Sequence, residues 1–385
     1  MKFLKKIFQG LLVILVLLNI AILVTGKTYL YKGIANTYLQ GRKGPSIDEY
    51  KIFENRKILA DVEQAWPAAG NFNKTDIPAE DTAYFRKQET VAFLIIKNDS
   101  LCFEKYWEGY DENSVTNSFS MAKTFTGILI GIAIMEGKIK NVDQPVGDFL
   151  PEFKNGENAK LTIRHLLTMS SGINFDEDYA NPLAYPAAAY YGSDLRKLTL
   201  KYKVTEEPGK VFKYLSGNTA LLGFIIEKVT GKKLGEYMSE KLWIPMGAKN
   251  NAYWGMDNND MEKAYCCFNS NARDFARFGY LFLNNGNWHG KELVAEEHVK
   301  QSIAPASLTD ENGKPNNKYG YAWWIINHKG HNIFYARGIL GQYVFVIPDR
   351  NMIVVRLGKK RDKQEGDEHP RDVFVYLDAA LQMEN

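Results

Sequence analysis

Hydrophobic and polar positions divide this chain into stretches of different period. Residues 7–24 are apolar except for Gln9, Gly10 and Asn19, and Lys2, Lys5 and Lys6 precede them. As a helix this stretch would be roughly 27 Å long, close to the thickness of a bilayer's hydrocarbon core. It predicts a membrane anchor or signal segment over residues 1–26, with retention and cleavage after Gly26 both open. Residues 27–75 are mixed in pattern and contain the loop Gly41-Arg42-Lys43-Gly44-Pro45. They read as a connecting arm with one or two short helices. Two β-rich runs, VAFLIIK and LCFEKYW, then flank Asn98-Asp99-Ser100, which predicts a hairpin. FTGILIGIAIM (125–135) is apolar on every side and predicts a buried helix.

The middle of the chain carries apolar residues at helical spacing in LTIRHLLTM (161–169), NTALLGFIIEKVTG (218–231) and ARDFARFGYLFLNNG (272–286). Between Tyr321 and Gly358 the pattern changes to four strand-like runs, YAWWIIN, HNIFYARG, GQYVFVIPD and NMIVVRLG. VFVYLDAALQM (373–383) predicts a C-terminal helix. Strands at both ends of the folded part and helices between them predict an α/β (α+β) fold. One antiparallel sheet is flanked by N- and C-terminal helices, with a helical lobe over roughly 121–318 inserted in it. The folded domain is expected over residues 76–385.

Composition narrows the functions. The chain has 385 residues, of which 48 are Lys or Arg and 45 Asp or Glu, giving a formal charge of +3. That balance, with no long basic block, argues against nucleic acid as a partner. Cys102, Cys266 and Cys267 lack the spacing of a zinc site or a disulfide scaffold, and the adjacent pair reads first as two buried or half-buried thiols and second as a vicinal disulfide. The six histidines form no metal or triad pattern; His165 reads as a core or boundary residue, and His328 and His331 as flanks of a hairpin loop. No metal or organic cofactor is implied, since there is no Gly-x-Ser-x-Gly, His-Glu-x-x-His or Gly-rich phosphate loop.

One tetrad carries chemistry. Ser120-Met121-Ala122-Lys123 is the chain's single Ser-x-x-Lys, and it stands where a hairpin gives way to the buried helix. Residues three apart share a helical face, so the Lys123 amine would reach the Ser120 hydroxyl. A serine at a helix start also lies beside unpaired backbone N–H groups that suit a developing oxyanion. Set among Phe119, Phe125 and Ile128, the lysine would be stripped of water and able to accept a proton. A second element, Pro208-Gly209-Lys210-Val211-Phe212-Lys213-Tyr214-Leu215-Ser216-Gly217-Asn218, places Tyr214 at a corner from which its hydroxyl can enter a cleft.

Together with NSFSMAKTFTGILIGIAIMEGKI, LTIRHLLTMSSG, NARDFARFGYLFLNNGNW and ARGILGQYVFVIPDRNMIVV, these segments resemble the serine β-lactamase-like superfamily. That superfamily comprises class C β-lactamases, DD-peptidases, related esterases and 6-aminohexanoate-dimer hydrolases, and the last are the most similar in character. The resemblance spans about residues 91–355. It implies Ser120 as nucleophile, Lys123 as its partner and Tyr214 as proton carrier, with Ser216 where the family's Tyr-x-Asn element has its Asn. The family's Lys-Thr-Gly falls at Ala336-Arg337-Gly338, with arginine in the central place and no lysine. Arg337 is then either an anion-binding group or a solvent-facing one. Gly338 in the glycine place makes the Ile339 backbone N–H the second oxyanion donor. Tyr179, on the Asp176-Glu177-Asp178 loop, and Asn269 are further substrate-binding candidates; the three carboxylates read as a solvated face, and Asn269 equally as a helix cap.

The resulting expectation is an exported serine hydrolase of the cell envelope that cleaves an amide or ester bond of a small molecule or short peptide. The membrane is contacted through the N-terminal segment. Two rival readings accompany it: a DD-peptidase or β-lactamase acting on cell-wall peptides or β-lactams, and a catalytically silent envelope binding protein.

Overall fold

Alternation decides the central layer. In the strands Thr90–Lys97 and Ser100–Tyr106, joined by Asn98 (φ 48°) and Asp99 (φ 62°), successive side chains point to opposite faces. The short polar side chains of that turn tolerate positive φ, which a tight hairpin needs. These two strands complete a six-stranded antiparallel sheet whose other members come from near the C-terminus. Its spatial order is Trp324–His328, His331–Gly338, Gln342–Ile347, Met352–Gly358, Thr90–Lys97, Ser100–Tyr106. The join between the two ends of the chain is long and regular, from Met352 opposite Lys97 to Leu357 opposite Ala92. The computed structural model describes residues 1–363 and 369–383.

Both faces of this sheet are covered. Phe93, Ile95, Phe103, Phe345 and Val354 meet Val373, Tyr376, Leu377 and Ala380 of the C-terminal helix Arg371–Gln382. Leu94, Ile96, Val344, Val346, Ile353 and Val355 pack toward the inserted lobe, whose helix Ala272–Leu283 contributes Phe275 and Phe278. Burial of this kind contributes about 25 cal/mol per Å² of apolar surface removed from water, so both faces stabilise the fold. Behind the second face run the helices Met121–Met135 and Ser216–Thr230, packed on each other. The first is buried on every side from Met121 to Ala133, as its all-apolar sequence predicts, and it stacks Phe125 on Phe278 at 3.8 Å.

The α+β architecture and the strand and helix assignments hold, with local differences. The 161–169 stretch is helical only over Ile163–Leu167, because Thr162 caps its start and Met169 (φ 56°) ends it. His165 accepts a hydrogen bond from the Thr162 N–H at 3.2 Å and is half-buried, a boundary position. The strand after Tyr321 begins only at Trp324, since Ala322 turns the backbone at φ 59°. Lys329 and Gly330, both at positive φ, turn the His328–His331 hairpin. A second sheet was not foreseen. It joins Asn55–Ile58, Ala252–Gly255, Phe268–Ser270 and Thr116–Asn117 in that order, in pieces too short to show a period. The helix Lys2–Val24 is long and apolar enough to cross a membrane, and none of its residues is buried. The arm helix Tyr29–Asn36 follows and lies against the helix Tyr185–Tyr191.

Candidate active site

The short second sheet sets the position of Ser120. After the strand Thr116–Asn117, the Ser118 N–H donates to the Phe268 carbonyl at 2.8 Å and the Phe119 N–H to Asn117 Oδ1 at 2.8 Å. Phe119 is thereby held at φ 45°, an unfavourable conformation for a bulky residue that persists only where its surroundings impose it. The chain emerges with Ser120 as the cap of the buried helix Met121–Met135 and Lys123 in its first turn. Lys123 is 1% exposed, and its Nζ lies 3.0 Å from Ser120 Oγ and 3.0 Å from the Tyr265 carbonyl oxygen. The amine also faces the Tyr214 ring, 5.0 Å from its centroid, and the Tyr265 ring at 5.6 Å.

Tyr214 follows the strand Val211–Phe212 and is half-buried against Trp324 and Tyr319, with ring centroids 5.3 and 5.9 Å away. Its neighbour Ser216 opens the next helix. Glu177 organises this corner: one carboxylate oxygen accepts from the Ser216 N–H and the other from the Tyr179 hydroxyl, each at 2.9 Å. Tyr179, 57% exposed, also meets Ser216 Oγ at 3.2 Å. Glu177 is therefore tied to the site, where the sequence suggested a solvated carboxylate.

The strand His331–Gly338 closes the opposite wall. A Cβ on Gly338 would stand 2.3 Å from the Ser118 carbonyl oxygen, so only glycine lets this strand approach the Ser118–Phe119 loop. Ile339 then borders the same cleft as Ser120. Among the described residues, neither the Ser120 nor the Ile339 backbone N–H donates to another backbone group. Arg337, of the two alternatives, does not face solvent. It is 8% exposed, its guanidinium carbon lies 3.3 Å from the Trp324 ring centroid, and its Nη1 is buried with no hydrogen-bond partner among the described residues. Nearby His369 accepts or donates at 2.6 Å to the Tyr335 hydroxyl, and burial, then Arg337 and Lys318, push its pKa down to about 3.

Two cavities meet at Ser120. A cleft of about 970 Å³ is lined by Tyr214, Trp324, Arg337 and Gly338, and among the described residues around it Lys and Arg outnumber carboxylates seven to three. A smaller cavity of about 230 Å³ runs between the arm and the helix Tyr185–Tyr191. Ser120, Tyr179, Ile339 and the arm residues Lys43, Gly44 and Pro45 border both.

Of the residues predicted for the site, Ser120, Lys123, Tyr214, Ser216, Tyr179, Arg337, Gly338 and Ile339 come together. Asn269 does not line either cavity. It is buried in the small sheet, donating to the Cys267 and Tyr253 carbonyls at 2.7 and 3.1 Å, and the helix cap is Asn271, which accepts from the Asp274 N–H at 2.9 Å. Cys266 and Cys267 are joined in a vicinal disulfide rather than standing as two thiols. Cys267 adopts φ 67°, a turn that brings neighbouring side chains together. Sequence reasoning missed the Tyr265 carbonyl, Glu177, Trp324 and the arm. A backbone carbonyl has no sequence signal; the Gly-rich 41–45 loop was visible, but its destination was not.

The family model described as Beta-lactamase matches residues 82–377. A 6-aminohexanoate-dimer hydrolase from Paenarthrobacter ureafaciens is 26% identical over 307 residues, covering 76% of this chain and 78% of that one. Protein flp of Staphylococcus aureus strain MW2 is 29% identical over 305 residues, and the match covers 69% of this chain but only 58% of that protein. A solved Bacillus anthracis structure bearing the name of a 6-aminohexanoate-dimer hydrolase aligns with TM-score 0.76 and 25% identity, covering 88% of this chain and 92% of its own. A family VIII carboxylesterase aligns with TM-score 0.63 at 18% identity, over 82% of this chain and 98% of its own, a likeness of fold. With its sheet, its inserted helical lobe and more than half its length matched, this chain belongs to the beta-lactamase family of serine β-lactamase-like hydrolases.

Proposed function

We propose that this protein is a membrane-tethered serine hydrolase that cleaves ester or amide bonds by acyl transfer. One observation carries the reading: the Lys123 amine lies 3.0 Å from the Ser120 hydroxyl at the mouth of an open cleft. In the proposed first step the Ser120 Oγ–H proton passes to Lys123 and Tyr214 as Oγ bonds to the substrate carbonyl carbon. The carbonyl oxygen becomes an oxyanion, received by the Ser120 and Ile339 N–H groups. Collapse breaks the bond to the leaving oxygen or nitrogen, which takes the proton by way of Tyr214. Water then attacks the ester formed on Ser120, gives its proton to the same pair, and releases the acid.

Tyr214 lines the larger cleft and not the smaller cavity, so the leaving half occupies the larger one. Arg337, with its unpartnered Nη1, gives that half a preference for an anionic group, since a buried donor without an acceptor costs about 1–3 kcal/mol until a ligand supplies one. Ala336 in the place of the family's lysine, with Arg337 in that of its threonine, also predicts little use of β-lactams. The Lys2–Val24 helix is the tether. The test is a panel of p-nitrophenyl esters, linear amides and nitrocefin with the full chain in detergent. Turnover of esters or amides that Ser120→Ala abolishes, with nitrocefin slow, is the expected outcome. Equal turnover by Ser120→Ala would remove Ser120 from the mechanism, and rapid nitrocefin cleavage would replace this reading with the β-lactamase one.

A further inference from the structure

The smaller cavity has a chemistry of its own. Its roof is Leu30, Gly33 and Ile34 of the arm helix, and its facing wall is Pro186, Ala187 and Tyr190. Phe119 and Cys266 border it beside Ser120, and Lys43 is the single charged residue among the described residues that line it. The phenols of Tyr190 and Tyr265 stay neutral, because burial raises both well above the usual tyrosine value. The arm is pinned rather than draped. Tyr29 Oη donates to the Pro182 carbonyl at 3.1 Å, the Asn117 N–H donates to the Ile47 carbonyl at 2.9 Å, and Glu49 receives both Arg42 at 3.2 Å and the Tyr190 hydroxyl at 3.1 Å. A mainly apolar chamber is thus held open against the hydroxyl of Ser120, and Tyr214 does not line it.

The half of a substrate that remains on the serine must lie away from the group that protonates the leaving half. Resting on the hydrolase reading above, we propose that this chamber is an acyl pocket, and that the protein's substrates are esters or amides of a medium-length aliphatic acyl chain. A water molecule needs roughly 10–15 Å³ of such cavity space, so the cavity of about 230 Å³ has room for a chain of several carbons rather than a single methyl. The arm contributes Leu30 and Ile34 to the lining along which such a chain would lie. Each methylene that enters should raise kcat/KM about threefold to fourfold until the chamber is full.

The experiment is the ratio of kcat/KM for p-nitrophenyl octanoate to that for p-nitrophenyl acetate, measured on the full chain and on two variants. Ala187→Phe fills the chamber from one wall, and Leu30→Asp puts a charge in the other. The expected ratio in the parent is above ten, and each variant lowers it at least tenfold, although Ala187→Phe makes the surface more apolar. If Ser120-dependent acetate hydrolysis is present but the parent prefers acetate, or neither variant moves the ratio, the acyl pocket is wrong and the hydrolase stands. If no ester is turned over in a Ser120-dependent way and a fluorophosphonate leaves Ser120 unlabelled, the hydrolase reading fails and the pocket with it.

Discussion

The two cavities that share Ser120 are built from different parts of the chain and by different means. The larger cleft is bounded mainly by three elements, the end of the strand His331–Gly338, the start of Met121–Met135 and the Tyr214 corner, although arm residues 42–46 also line it. All three lie inside the matched span 82–377. The smaller cavity takes a wall from Tyr29–Pro45, which lies outside that span. One region positions the reacting groups through buried helices and sheet edges, where small displacements are costly. The other is a strap laid over the same serine and pinned to its surroundings by a few hydrogen bonds. Reactivity and selectivity are therefore separable in this molecule.

Substitutions on the two sides should separate accordingly. Lys123→Met removes the amine beside Ser120 Oγ while filling the same buried space, and kcat/KM should fall roughly a thousandfold with every ester in a panel, leaving the chain-length preference as it was. A change of preference in that variant would mean the two regions are coupled. Gly338→Ala drives a methyl into the Ser118 carbonyl, so it should lower kcat roughly ten- to a hundredfold by displacing the Ile339 N–H, and cost about 1–3 kcal/mol of stability in denaturant unfolding. Arg337→Ala should raise KM by roughly tenfold for an ester with an anionic leaving group and leave a neutral leaving group within about twofold. Loss with both leaving groups would assign Arg337 to holding Trp324 in place.

The smallest effect concerns the support beneath the nucleophile helix. His298 is buried against that helix, its Nε2 3.1 Å from the Gly127 carbonyl, and burial lowers its pKa to about 4. Between the unfolded value near 6.5 and about 4, the unfolded chain binds a proton that the folded one refuses. Stability should therefore fall as pH falls through that window, by up to about 1.4 kcal/mol per pH unit from this residue. His298→Gln should flatten that part of the stability profile. An unchanged acid slope in the variant would place the acid sensitivity in other groups, the buried His369 among them.

Much of this was legible in the sequence for identifiable reasons. The sheet strands announce themselves as short β-rich runs bounded by turn residues, and the helix behind Ser120 because it is apolar all round. The Ser-x-x-Lys spacing gave the contact between Ser120 and Lys123, since helical geometry fixes the distance between residues three apart. What stayed hidden was whatever depends on long-range approach. The small sheet that positions Ser120 uses strands of two to four residues, too short for a period. The Tyr265 carbonyl that receives Lys123 is a backbone atom. Asn269 was drawn to the site by its place before a helix, but two carbonyls claim its amide first. Adjacency alone left Cys266 and Cys267 reading first as thiols and only second as a vicinal disulfide, which is what they form. The arm's return over the active site depends on hydrogen bonds to Pro182, Tyr190 and Asn117, residues from about 70 to about 150 positions away.

The most direct measurement is peptide mapping after reaction of the full chain, in detergent, with a fluorophosphonate. The account predicts one stoichiometric adduct on the peptide carrying Ser120, lost in Ser120→Ala and strongly slowed in Lys123→Met. An unlabelled protein, or an adduct on any other residue, would contradict it.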